Sequence, residues 1–508
     1  MRRTLASVAG VALGVMAVAA WQAPERVDMA AIAKIRDEGL NRSQVGAHFT
    51  TLVDTIGPRL AGSPEYKRAA DWSREALAKW GLTGARLEAF EFGRGWQLEK
   101  FTLEMIEPRY MPLLGYPEAW SPSTKGEVTA TVAFVNGKLA PDVAAMKLTN
   151  AAVMQAAPVT NFIVADRVQP AKAPDAAPAA AAAAPGAAGR GGQGGRQGGA
   201  GGRGAATGDP AAPAAMTVDQ AIRAGGAAVL LKPSRGMHGT VFVQAGRDNP
   251  TDLMPKVVLA GEHYNMLARL AQQGVPVKIR VNVQARFLDQ DRNSYNVLAE
   301  LPGSDAALRS EIVMIGAHLD SWHTGVGATD NADGAAVVME AMRILKATGL
   351  QGRRTIRVAL WAAEEEGLLG SRAWVRQHLP DTGTRDKVSV YFNIDPGKGP
   401  IYGWFMENND EARPIFDAWM APFTDLGGLK NVRQGIGNTD HLSFIAAGVP
   451  GFNPIQDYAD YDVREHHTNA DTPERIKVDD LKQNAIVLAS VVYHAAMRTE
   501  AIPSAVRK

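Results

Sequence analysis

The chain has 508 residues, with Lys+Arg 54 against Asp+Glu 53 and no cysteine. The near-neutral balance gives no field for broad attraction to nucleic acid or membrane surfaces, so neither is expected as a partner. The missing thiols exclude disulfides, thiol catalysis and thiolate-held zinc, so any metal centre must be built from His, Asp and Glu.

Arg2 and Arg3 precede an apolar run from Leu5 to Met16 and the small residues Ala17-Val18-Ala19. This pattern predicts a signal peptide over 1–22, with an uncleaved anchor as the alternative. The run is shorter than the ~20 residues that span a bilayer, so the mature chain is expected to be periplasmic or secreted, with no membrane span after signal removal. Ser63-Pro64 caps a helix whose apolar positions run from Ala69 to Trp80 and which Gly81 closes. Residues 84–106 alternate like β structure. Short β-like runs then follow over 118–286, among them 128–135, 227–231 and 277–283. This region is interrupted by an Ala/Pro/Gly-rich tract over 169–215. That tract has too little apolar surface to offset chain entropy and is expected to be a disordered loop.

From Ser294 the pattern changes. Strands over 312–315, 355–362 and 388–394 alternate with helices over 335–347 and 367–379. This predicts an α/β fold with a mixed, largely parallel sheet covered by helices on both faces. The expected organisation is a first part of this domain over 30–117, an inserted β-rich domain over 118–286, and the chemistry-bearing part over 287–500. In such sheets the functional crevice lies beyond the carboxyl ends of the strands.

The polar clusters fall there. His318 and Asp320 follow the first of these strands, and their i, i+2 spacing puts them on one side. Asp330 and Asn331 precede a helix, where Asp330 can lie between two cations and Asp333 can cap the helix. Glu364-Glu365-Glu366 follow the second strand, one acid suited to hold metal and its neighbour to accept a proton from the attacking water. Asp395 ends the third. Asn438-Thr439-Asp440-His441 and Glu465-His466-His467-Thr468 complete the set. Singly, each reads as an ordinary loop or helix start. Together they gather five of the ten histidines, His318, His323, His441, His466 and His467, into three clusters, and imidazole with carboxylate but no thiolate suits zinc, with manganese or cobalt as substitutes. No Gly-x-Ser-x-Gly, His-Glu-x-x-His, P-loop or dinucleotide fingerprint is present.

The ordered set His-x-Asp, Asp-Asn, Glu-Glu-x-Gly-Leu-x-Gly-Ser, Ile-Asp and His-Thr-x-x-Asp-Thr resembles the co-catalytic di-zinc exopeptidases of clan MH. This group comprises leucyl aminopeptidases and glutamate carboxypeptidases, and the likeness is nearest to the plasma glutamate carboxypeptidase branch. It extends to Gly57-Pro58-Arg59-Leu60, Gly62-Ser63-Pro64-Glu65-Tyr66 and Ala447-Gly448-Val449-Pro450-Gly451, and covers most of 45–495. It implies a zinc-exopeptidase, phosphorylase/hydrolase-like core with an inserted protease-associated-like domain, two zinc ions per chain and a peptide substrate; it leaves a homodimer open. His318 and Asp395 then match the ligands of one zinc, Glu365 and His467 those of the other, and Asp330 the bridge. Glu364 matches the general base and Asp320 the acid that orients His318. His466 and Asp440 are candidate substrate or oxyanion contacts, and His441 falls outside the metal set. The resemblance also implies a cis bond after Asp330. The alternatives on the same fold are a glutaminyl cyclase with one zinc and a receptor-like homologue with none. Whether the peptide is held by its amino or carboxyl end stays open.

Overall fold

A computed structural model describes residues 25–168, 170–172, 216–244 and 254–505. The expected signal peptide and almost all of the 169–215 tract lie outside the described residues. The first predicted helix is Pro64–Lys79: Ser63 Oγ accepts the Tyr66 N–H at 3.1 Å, and Gly81 turns the chain at φ +83°.

Seven strands form the main sheet, in the order Thr83–Glu91, Asn293–Leu301, Thr355–Trp361, Ile312–His318, Val388–Asn393, Gly451–Asp457 and Lys398–Phe405. The expectation of a largely parallel sheet needs correction. The three central pairings are parallel, and the three outer ones are antiparallel. Parallel neighbours need a crossover, and helix Asp333–Ala347 supplies one between the Ile312 and Thr355 strands. Asn293–Leu301 instead enters straight from another strand and pairs antiparallel.

Both faces are covered, because alternate side chains of a strand point to opposite sides. Val313, Ile315 and Ala317 join a core with helices Met29–Asn41, Asp333–Ala347 and Val478–Met497. Met314, Ala359 and Trp361 pack on the other side against Trp374 of helix Leu369–His378 and Phe444 of helix His441–Ala446. Among the described residues, no helix is long and apolar enough to cross a membrane.

A second, eight-stranded mixed sheet has its own apolar clusters. Its long strands Gly95–Glu107 and Lys278–Leu288 pair antiparallel, from Gly95 opposite Leu288 to Glu107 opposite Lys278. They continue the Thr83–Glu91 and Asn293–Leu301 pair of the main sheet, so one ribbon passes through both sheets. The second sheet therefore begins at Gly95, not at 118. An alternating pattern says that a segment is a strand but not which sheet it joins.

Candidate metal centre

His318 ends its strand with its side chain fully buried. Its Nδ1 lies 3.1 Å from the Asp320 backbone carbonyl, which accepts its hydrogen, and 3.8 Å from the Asp320 carboxylate. The Asp320 carboxylate lies beside the ring as expected, and the Asp320 main-chain carbonyl is the nearer acceptor. The Asp320 carboxylate is occupied elsewhere, accepting the backbone N–H groups of Glu364 and Glu365 at 3.3 Å each. His318 Nε2 thus points at Asp330 Oδ1, 3.3 Å away, and Asp395 Oδ1, 3.7 Å away.

The Asp330–Asn331 peptide is cis. Asn331 ties this turn to the third strand's end, donating to the Ile394 carbonyl at 2.8 Å and accepting the Gly334 N–H at 3.1 Å. A Cβ on Gly334 would lie 2.1 Å from Asn331 Oδ1, so this position has room only for glycine. Asp333 opens the helix as its first residue, and its carboxylate accepts from Gly334 N at 2.6 Å, while Ala332 holds the cap position. Asp330 Oδ2 lies 3.4 Å from His467 Nε2, so the two oxygens of one carboxylate face two imidazoles.

Glu364 and Glu365 leave the Thr355–Trp361 strand through Ala363, at φ +57°. Glu365 Oε2 accepts the Trp322 indole N–H at 2.9 Å and lies 2.7 Å from His467 Nε2. Among the described residues no hydrogen bond ties up the buried Glu364 carboxylate. His467 sits at φ +60°, and its ring centroid is 3.7 Å from that of His466. Ligand atoms of His318, Asp330 and Asp395 form one group within 4.8 Å of one another, and those of Asp330, His466 and His467 form a second. The structure therefore places His466 among the metal-capable atoms, beyond its expected substrate or oxyanion part.

Asp440 is different. It is fully buried, accepts the Ser371 hydroxyl, and burial pushes its carboxyl up to about 7. It holds the cap position of helix His441–Ala446. His441 is also buried, with Nε2 3.2 Å from Glu407.

Four residues carry parts that motif reading did not assign. Asp471 accepts Thr329 N at 2.7 Å, Thr329 Oγ1 at 2.8 Å and Asp330 N at 3.2 Å, fixing the Asp330 turn. Arg59, 0 % exposed, donates to the carbonyls of Leu319, Val326 and Gly327, each at 2.8 Å, and so pins the His318–Asp330 connection. Trp322 holds Glu365. Tyr461 places its ring 5.4 Å from His466 and buries a hydroxyl with no hydrogen-bond partner. Each lies inside or beside a quoted motif, but the parts of Asp471, Arg59 and Trp322 depend on residues distant in sequence.

Burial raises the Glu364 and Glu365 carboxyls well above the usual range, and neighbouring acids add to the effect. Burial opposes charge on Asp330 as well, but His318, His467 and His466 hold its carboxyl low. His318 is driven up by Asp395 and Glu364 against its burial. Burial pushes His467 down and His466 down to about 3, a direction that favours the uncharged ring a metal ligand needs. Among the described residues, His318 Nε2, Asp330 Oδ2 and Glu365 Oε1 are buried with no hydrogen-bond partner. Such atoms are costly unless something satisfies them. An acid-rich cluster of oxygen and imidazole donors fits divalent cations of the zinc type.

Residues 296–492 match the sequence profile of peptidase family M28. Carboxypeptidase Q of Bos taurus is 27% identical over 459 residues, covering 89% of this chain and 85% of that protein. Leupeptin-inactivating enzyme 1 of Streptomyces exfoliatus is 34% identical over 165 residues, 32% of this chain and 36% of that protein. The crystal structure of a peptidase M28 precursor from Shewanella amazonensis has the same fold, with a TM-score of 0.67 at 23% identity over 93% of this chain and 98% of that one. So has a zinc aminopeptidase from Bacillus subtilis, with a TM-score of 0.57 at 18% identity over 91% and 97%.

Proposed function

We propose that the chain, which matches the peptidase family M28 profile over residues 296–492, is an exported exopeptidase using two zinc ions to hydrolyse terminal bonds of dipeptides and short peptides. The observation that carries this reading is the Asp330 carboxylate, with one oxygen facing His318 and the other facing His467. His318 and Asp395 would hold one ion, Glu365 and His467 the other, and Asp330 both. When bound, the ions supply Lewis acidity that polarises the scissile carbonyl and acidifies the attacking water.

The chain's own groups do the rest. Glu364, with no hydrogen bond to satisfy, accepts the water's proton on its carboxylate and passes it to the leaving amine nitrogen. Asp320 fixes the backbone of Glu364 and Glu365, which keeps the base and the ligand apart in role although adjacent in sequence. His466 and the buried Tyr461 hydroxyl line the same side and are the donors available to a developing oxyanion. The second sheet's unit, read as protease-associated-like, borders the site through its contacts with residues 460–469.

The test is zinc content together with a dipeptide and short-peptide panel carrying free and blocked termini. Two ions per chain and hydrolysis that chelation abolishes and zinc restores are expected. The panel identifies the end held, which the length-wide likeness to carboxypeptidase Q favours as the carboxyl end. One ion with intramolecular cyclisation, or no ion and no hydrolysis, would replace this reading by a cyclase or a receptor.

A further inference from the structure

The loop at residues 234–244, which belongs to the second sheet's unit, lies along the loop that carries His466 and His467. Val243 N donates to the His467 carbonyl at 3.1 Å, Val241 N to Asn469 Oδ1 at 2.7 Å, and Phe242 bridges to Thr468. A second strand of contacts comes from Asp166, whose carboxylate accepts Asp460 N at 2.8 Å and Val463 N at 3.1 Å, and from Arg167, paired with Asp462. At the end of the first loop, the Gln244 amide is 2.5 Å from His467 Nδ1. The other ring nitrogen, Nε2, faces Glu365 and Asp330. Resting on the two-zinc reading above, we propose that Gln244 is a positioning residue that sets the ring orientation and tautomer of His467, so that the second unit completes the metal centre it borders.

The chemistry favours an amide here. With no metal, Nε2 carries the hydrogen and donates it to Glu365, while Nδ1 accepts from the amide NH₂. A metal on Nε2 requires its lone pair, which moves the hydrogen to Nδ1. A half-turn of the terminal torsion then presents the amide oxygen as acceptor. Gln244 thus satisfies both states, glutamate only the metal-bound one, and leucine neither. Among the described residues, Gln244 is the hydrogen-bond partner of Nδ1, while Glu365 and Asp330 lie on the Nε2 side, so the amide is placed to select which ring nitrogen faces the acids.

The experiment compares the full chain with Gln244→Leu and Gln244→Glu. Each loaded protein is dialysed against a graded chelator series, and zinc per chain is read by atomic spectroscopy, with the thermal midpoint of each metal-free form alongside. Loss of a partner to a metal-ligating histidine typically costs 10–100-fold in metal affinity. Gln244→Leu should release one of the two ions at ~10–100-fold lower chelator strength, Gln244→Glu should hold it at least as well as the native chain, and the metal-free midpoints should coincide. Gln244 is exposed, so neither change disturbs a core. Retention of both ions by Gln244→Leu at native chelator strength overturns the inference, and so does equal loss from both variants, which indicates a purely steric contact. A native chain that binds no zinc overturns the two-zinc reading itself, a result separable from the others because it appears before any substitution.

Discussion

Replacing Glu364 and Glu365 one at a time by glutamine separates two roles that adjacent, like residues would otherwise hide. The Glu364 carboxylate is buried and, among the described residues, accepts no hydrogen bond, so the amide enters the same volume without breaking one. It cannot accept a proton at neutral pH. General base catalysis contributes roughly 10²–10⁴-fold, about 3–5 kcal/mol at 1.36 kcal/mol per decade, and kcat for Glu364→Gln should fall by at least that factor with zinc content unchanged. Glu365 differs, because its Oε2 accepts from Trp322 and lies 2.7 Å from His467 Nε2 while Oε1 is buried without a partner. An amide there keeps one oxygen, loses the charge and turns an NH₂ group toward cations. Metal affinity should drop by more than the ~10–100-fold that follows loss of an outer partner, with activity partly recovered in excess zinc. The assay is metal content and kcat on the same purified sample of each variant. If Glu364→Gln loses zinc while Glu365→Gln stays loaded and inactive, the two roles are reversed and the strand-end geometry has been misread.

Trp322→Phe keeps the ring but removes the N–H that holds Glu365; chelator titration should show weaker zinc retention, by about 10-fold or more, with little change in the metal-free melting temperature. Arg59→Met strips three buried carbonyls of a charged donor; hydrogen bonds to charged groups are worth ~1.5–3 kcal/mol, so denaturant unfolding should show a loss of at least ~3 kcal/mol, and a loss below ~1 would contradict the pinning role. Gly334→Ala forces a methyl into Asn331 and should cost ~1–3 kcal/mol and perturb zinc binding with it, whereas a variant of native stability would mean that the turn can shift. Stripping zinc from the native chain should lower its melting temperature, since free zinc at a thousand times Kd stabilises by about 4 kcal/mol, and calorimetry with and without chelator measures the difference.

Three strands of the main sheet, Ile312–His318, Thr355–Trp361 and Val388–Asn393, were legible because each is a buried apolar run that ends in a polar cluster, and the carboxyl ends of neighbouring parallel strands necessarily converge. That is why His318, Glu364, Glu365 and Asp395 were readable as one site from local pattern alone, as was helix Pro64–Lys79 from its cap. The outer pairings were not legible, because strand direction is set by what the chain does between strands. The ribbon that runs from Thr83–Glu91 into Gly95–Glu107 has the same alternation in both sheets.

What escaped the sequence at the site is the set of groups that aim the ligands. The His318–Asp320 spacing correctly puts both residues on one side, yet it does not say which oxygen of Asp320 meets the ring. The answer depended on Glu364 and Glu365, whose N–H groups compete for the carboxylate. Gln244 lies 223 residues from His467 and in no motif. A ligand needs a particular atom at a strand end, and only a few residue types supply it, so ligands leave a pattern. A partner that orients a ligand needs only an acceptor at the right distance, which amides, carboxylates and main-chain carbonyls all provide. The candidate ligands come from strand ends and their loops, and their supports come from the main chain, from the Arg59 and Asp471 loops and from the second unit. The difference in legibility therefore follows from the difference in chemical demand, and it makes the second unit's contact with the His467 loop a place where substitution is expected to change metal retention without touching a candidate ligand.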